Sequence, residues 1–263
     1  MFYALAQVSR IALRGLWLHR EFVTLWAGHS VSLVGSEISQ LSRRVGIAPR
    51  SAVFTICMAV TREQFDSGLT YDAYKAQMTR NREQFEQNEK DVQLGPEDVQ
   101  AFRDLPQPIN VMALAEDWCG DVIANVPVLG RLAQESNGKL NVRIHLRDQE
   151  PGTQIMDQYL NKGQFKSIPT LVFLDSEFNE FGVWIERPES VTRLREEKRQ
   201  ALYRQHPEWG DPSTPIAELP EEVRTQIQQA TAAMRTETKA FANSEVVREF
   251  RELVQRAATL LPV

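Results

Sequence analysis

Trp118-Cys119-Gly120-Asp121-Val122 sits where one hydrophobic pattern gives way to another. Upstream, Ile109-Asn110-Val111-Met112-Ala113-Leu114-Ala115 is a short apolar run. Pro106 and Pro108 forbid helix just before it, so it reads as a strand. Downstream, Val122, Val126, Leu129 and Leu132 recur at helical spacing, which predicts a helix over about 120–134. The chain therefore delivers a cysteine to a strand-to-helix junction. Further along, Ile168-Pro169-Thr170 opens the continuous apolar run Leu171-Val172-Phe173-Leu174, as expected of a strand buried on both faces.

The segments around this pair extend the pattern. Thr70 can cap a helix beginning at Tyr71, with Tyr74, Met78 and Phe85 on one stripe, so a helix over 71–90 is expected. Its part from Arg80 to Lys90 is almost wholly polar and should be solvated. Gly95-Pro96 interrupts it and starts a short helix through Phe102. Asn137-Gly138 is a turn signal, and Val142, Ile144 and Leu146 then alternate as a strand, with His145 on the opposite face. A helix is expected over 153–162, a strand over 181–185, and a charged helix from Pro188 to about Gln205. Residues 211–220 hold three prolines and read as part of a linker. Two helical stripes follow: Val223, Ile227, Ala230 and Met234, then Val246, Phe250, Leu253, Ala257 and Leu260.

The order strand-helix-strand-helix-strand-strand-helix, with a cysteine at the first strand-to-helix junction and Ile-Pro-Thr before the third strand, resembles the thioredoxin superfamily. The resemblance implies an α/β, thioredoxin-like fold: a central mixed sheet flanked by helices, with extra N- and C-terminal helices. It assigns 105–206 to the core, 58–104 to an N-terminal helical extension, 207–220 to a linker and 221–263 to C-terminal helices. It also implies that Pro169 is cis and faces Cys119, where an extended peptide can pair with the exposed backbone as an added strand. Without the resemblance, Pro169 is a plain strand-start proline.

The family pattern is Trp-Cys-Gly-Pro-Cys. Here Asp121 replaces the motif proline, and Val122 stands where the second cysteine would be. The acid that family members often carry six residues before the nucleophile is Ala113. Both losses agree, because without a resolving thiol its base has no task. Dithiol reductase activity is therefore not expected. Monothiol glutaredoxins have Gly-Phe-Ser after the cysteine where this chain has Gly-Asp-Val, which argues against a shared iron–sulfur cluster. What the resemblance implies for a single cysteine is monothiol exchange: Cys119 forms a mixed disulfide, and an external thiol such as glutathione, as co-substrate, releases it. The other reading is an inactive peptide- or protein-binding module.

Cys119 would meet the free amides of Asp121 and Val122 at the helix start, which favour a thiolate. Glu116, Asp117 and Asp121 oppose this by charge, so the sign of the net effect stays open. Asp121 either repels the sulfur or simply suits the helix start. Glu116 and Asp117 read as solvated loop charges. Trp118 either walls the substrate or packs in the core. Cys119 is thus the candidate catalytic residue, with Trp118, Gly120, Asp121, Val122, Ile168 and Pro169 as candidate substrate-binding residues.

The resemblance implies a protein or a low-molecular-weight thiol or disulfide as partner, and composition removes other classes. With 30 Lys+Arg against 35 Asp+Glu, nothing suggests nucleic acid. The four histidines are scattered, without zinc-site spacing, so no metal is expected. Two cysteines, Cys57 and Cys119, make no disulfide framework and suit a reducing cytoplasm. Residues 1–57 differ from the rest, with six Arg against two Glu. Arg20 to Leu41 resembles the start of a major-facilitator transporter. Its longest uncharged run, Phe22 to Ser36, is too short for the roughly 20 residues of a span, so no stable membrane span is expected. The reading preferred here takes Met58 as the natural start and 1–57 as an artefactual or disordered leader, with a genuine extension or a targeting segment as alternatives.

Overall fold

The cysteine junction is held by a four-stranded mixed sheet in the order β2-β1-β3-β4. A computed structural model of the chain describes residues 60–260. The leader, Cys57, the start at Met58, and the side chains of Ala257 and Leu260 lie outside the described residues. β1 (Ile109–Ala115) is central and buried along its whole length. It pairs in parallel with β2 (Leu140–Leu146) and antiparallel with β3 (Thr170–Leu174). β4 (Glu180–Ile185) adds antiparallel to β3. A strand flanked on both sides and covered on both faces needs an apolar run, and β1 and β3 supply it.

Nine α-helices are described around this sheet. Four precede β1: α1 (Arg62–Asp66), α2 (Tyr71–Gln77), α3 (Arg82–Asp91) and α4 (Pro96–Arg103). α5 (Gly120–Glu135) follows Cys119, and α6 (Gly152–Met156) lies between β2 and β3. Then come α7 (Glu189–Gln205), α8 (Glu221–Glu237) and α9 (Lys239–Leu260). Thr70 caps α2 as expected, its hydroxyl accepting from the Ala73 amide. Pro188 and Pro220 stand at the N-caps of α7 and α8. This is the α/β thioredoxin-like fold that the sequence pattern implies.

The expected helix over 71–90 is instead two. Met78 leaves helical geometry, and the Asp117 carboxylate accepts from the Thr79 and Arg80 amides at 2.7 and 2.9 Å. Asn81, at φ 55°, restarts the chain as α3. The polar stretch in α3 is not wholly solvated either. Phe85 is fully buried against Tyr71 and Tyr74, and Asn88 is buried beside α5.

α5 explains that burial. Pro127 lies inside this helix and cannot donate to the Ile123 carbonyl one turn back. The Asn88 side-chain amide donates there instead, at 2.7 Å. At Gly130 the ring of Tyr71 approaches so closely that a Cβ would lie 2.1 Å from Cζ.

Two further expectations change, and two features appear that the sequence did not signal. α6 ends at Met156, and the chain turns through Lys162 and Gly163, both at positive φ, before Phe165 bonds back to Asn161. The Glu150–Pro151 bond is cis, which the sequence did not signal. His145 does take the opposite face of β2, yet it is buried, because Leu69 pairs with Ile144 and Gly68 lies over the imidazole. The stretch 207–220, expected as a linker, folds into two 3-10 turns. Its Trp209 is buried with Tyr203 and Ile227, and the indole donates to Gln226 at 2.8 Å.

α9 answers where the C-terminal stripes go. Val246, Phe250 and Val254 are fully buried in the main core. Phe250 meets Trp184 of β4 at 5.1 Å and Phe173 of β3 at 5.7 Å between ring centroids. The C-terminal helices are thus part of the same packed body as the sheet.

Candidate active site

Cys119 is the N-cap of α5 in extended geometry, half-buried. The Ile168–Pro169 bond is cis, and the Cys119 thiol donates to the Ile168 carbonyl at 3.4 Å. Cysteine and proline, 50 positions apart in the chain, therefore face each other as the resemblance implies. β1 brings one and the start of β3 brings the other, and the direct β1–β3 pairing fixes their separation.

Several influences act on the thiol. Burial pushes its pKa up and is the largest of them. The Val122 and Asp121 amides point at the sulfur and pull it down. The Asp121 carboxylate pushes it up, and Arg235 pulls it down. The balance left open by the sequence falls on the side of a raised pKa.

Asp121 does not stand free at the helix start. It is buried, and among the described residues three arginines converge on it. Arg187 reaches Oδ2 at 2.5 Å, Arg195 of α7 lies 3.7 Å from Oδ1, and Arg235 of α8 lies 4.0 Å from Oδ1. Oδ1 itself has no hydrogen bond. Glu186 lies 3.6 Å from Arg187, so two carboxylates face three cations and the cluster keeps one surplus positive charge. Burial and the neighbouring arginines lower the pKa of Arg195.

Gly120 makes this convergence possible. A Cβ there would lie 2.4 Å from Nη1 of Arg235, which would have to move. Val122 is fully buried in the core and meets the sulfur only through its backbone. Ile168 likewise presents its carbonyl, with its side chain buried. Trp118 is 43% exposed with the Arg147 guanidinium 4.9 Å over its ring, so it stands at the rim and not in the core.

Glu116 and Asp117 are not the solvated charges expected of them. Glu116 is buried and accepts from the Asp148 amide at 2.7 Å, and burial raises its pKa. Asp117 holds the α2–α3 break.

A cleft of about 560 Å³ opens beside the cysteine, walled by α3, the start of α5 and the α8–α9 corner. Trp118, Gly120 and Ile123 line one side, and Arg195, Arg235 and Asn243 line another. The arginine cluster and the cleft escape sequence reasoning. Arg187, Arg195 and Arg235 lie in segments far from the motif, and nothing in their spacing marks them. Among the described residues no His/Cys/Asp/Glu group could hold a metal ion, and no helix is long and apolar enough to cross a membrane.

Fold and junction together define a thioredoxin-like protein. The family Thioredoxin matches residues 68–199, half of the chain, and the chain belongs to this family. No curated protein matches it. Among solved structures, a protein of unknown function from Pseudomonas aeruginosa is similar at 16% identity and a TM-score of 0.52. That match covers 76% of this chain and 99% of the other. An HIV epitope scaffold is 12% identical with a TM-score of 0.49, over 73% of this chain and 96% of its own. At these identities the first likeness concerns the fold alone.

Proposed function

We propose that this protein carries out monothiol thiol–disulfide exchange through Cys119. The observation that carries the reading is the half-buried Cys119 sulfur set against the Ile168–cis-Pro169 backbone, with the Asp121 and Val122 amides aimed at it. In the first step the Cys119 thiolate attacks one sulfur of a disulfide. That S–S bond breaks, a Cys119 mixed disulfide forms, and the other sulfur leaves as a thiolate. An external thiolate then attacks the substrate sulfur of the mixed disulfide and releases Cys119. Glutathione is suited to this co-substrate role. The result is one disulfide exchanged for another, with no net oxidation. Val122 offers no thiol, so the second step is intermolecular.

The raised thiol pKa sets the pace. Attack is slow at neutral pH, where little thiolate exists, and a high-pKa thiolate is a poor leaving group, so the mixed disulfide is long-lived. The same observation favours a second reading, a peptide-binding module that uses the groove at Trp118, Cys119 and Pro169 without turnover.

The test is mass spectrometry of adducts formed with a small disulfide at pH 7 and pH 9. Exchange predicts an adduct on Cys119 that grows with pH, is released by added thiol, and is lost in Cys119→Ser. An adduct-free protein at both pH values, with partner binding unchanged in Cys119→Ser, would establish the binding module instead.

A further inference from the structure

The cleft beside Cys119 is built for a ligand of definite charge. Its charged lining residues are Arg195, Arg235 and Lys239, and no acidic side chain lines it. Lys239 is paired outward with Asp91. Arg195 and Arg235 share the Asp121 carboxylate with Arg187 at separations of 3.7 and 4.0 Å, and Arg195 spends only its Nε, on the Thr238 hydroxyl at 3.4 Å. Arginine is the side chain best matched to a carboxylate or phosphate.

A second observation points into the same space. Asn243 of α9 is 8% exposed and lines the cleft, yet its amide makes no hydrogen bond among the described residues. Its amide opens onto the cleft and is free to meet a ligand atom. Ile123, Ala124 and Ala242 supply apolar wall between these polar groups. A volume of about 560 Å³ suits a small molecule.

We infer that this cleft binds a small anionic molecule, its carboxylate or phosphate held by Arg195 and Arg235 and an amide or hydroxyl group met by Asn243. The site belongs to the C-terminal helices as much as to the thioredoxin-like core. It places the bound anion next to Gly120 and Trp118, the two residues that flank the cysteine. Resting on the exchange reading, the ligand is the external thiol or its disulfide, an anionic low-molecular-weight thiol compound. The cleft alone specifies the anion.

The experiment is calorimetric titration of the full chain carrying Cys119→Ser, which separates binding from exchange. The probes are S-methylglutathione, which bears carboxylates and cannot react with a thiol, and inorganic phosphate. Binding of the first alone identifies a carboxylate ligand. Binding of the second alone, or of both in competition, identifies a phosphate-type anion. Arg235→Gln should weaken binding about tenfold or more. Arg235→Lys should recover part of it, and the near-isosteric Asn243→Asp should abolish it. Thermal unfolding of each variant reports whether it is folded. No heat from either probe at millimolar concentration, or equal affinity across folded variants, would overturn the inference. Binding in a protein that forms no Cys119 adduct would overturn the exchange reading and leave the anion site standing.

Discussion

At Cys119, proximity to a helix start does not by itself make a reactive thiolate. Two amides point at the sulfur, yet burial outweighs them. Alkylation of Cys119 by a small neutral reagent should therefore show an apparent pKa above the roughly 8.5 of a free cysteine. A midpoint at or below 7 would contradict the structure. The linkage sign follows from the same direction. The folded thiol holds its proton more tightly than the unfolded one. Its contribution to stability is therefore present below the unfolded pKa and is lost as pH rises through the folded one.

His145 acts with the opposite sign in the opposite window. Its burial lowers the imidazole pKa below 6.5. The unfolded chain takes a proton there that the folded chain refuses, so stability falls as pH drops below about 6.5. Urea unfolding at pH 7.5 and 5.5 should show a loss that His145→Gln removes. The buried Asp121 supplies a third expectation. Asp121→Asn strips the countercharge from Arg187, Arg195 and Arg235 and should cost about 3 kcal/mol in urea unfolding.

Among the elements, α3 and α5 are stitched by a defect. Pro127 leaves the Ile123 carbonyl unpaired within its own helix, and Asn88 fills the gap. Asn88→Ala should cost about 1–3 kcal/mol. In a Pro127→Ala background the cost should shrink, because the restored backbone amide competes for the same carbonyl. A double-mutant cycle in urea measures that coupling. The strands were readable from the sequence because apolar runs and flanking prolines act locally. So were α5, α7 and the caps at Thr70 and Pro188. The break after Gln77 was hidden because its cause, Asp117, lies 38 positions beyond Thr79 in the cysteine loop. The short α6 was hidden because Ile155, Met156, Tyr159 and Leu160 mimic a helical stripe that a turn at Lys162-Gly163 interrupts. In the candidate site, Cys119 and Pro169 were legible as a motif. The arginines were not, because charge convergence has no period.

At the scale of the molecule, the core among the described residues is one large cluster around β1 and β3, with a small satellite of Tyr203, Trp209 and Ile227. Hydrogen exchange should therefore be slowest for β1 and β3 amides and faster around 203–227. If the satellite amides exchange as slowly as β1, that division is wrong. Phe250→Ala should cost about 4 kcal/mol, since α9 delivers this ring between Trp184 and Phe173. Ile227→Ala, in the satellite, should cost less, about 2 kcal/mol.

The convergence on Asp121 also has a consequence in time. Synthesis runs from the N-terminus, so Cys119 and Asp121 are incorporated more than a hundred residues before Arg235. Until then the carboxylate beside the thiol lacks one of its cations, and the cleft lacks the wall that α8 and α9 provide. A growing chain can carry the motif, but not the surroundings that define its chemistry. The cysteine's neighbourhood is finished only after α8 and α9 have been made.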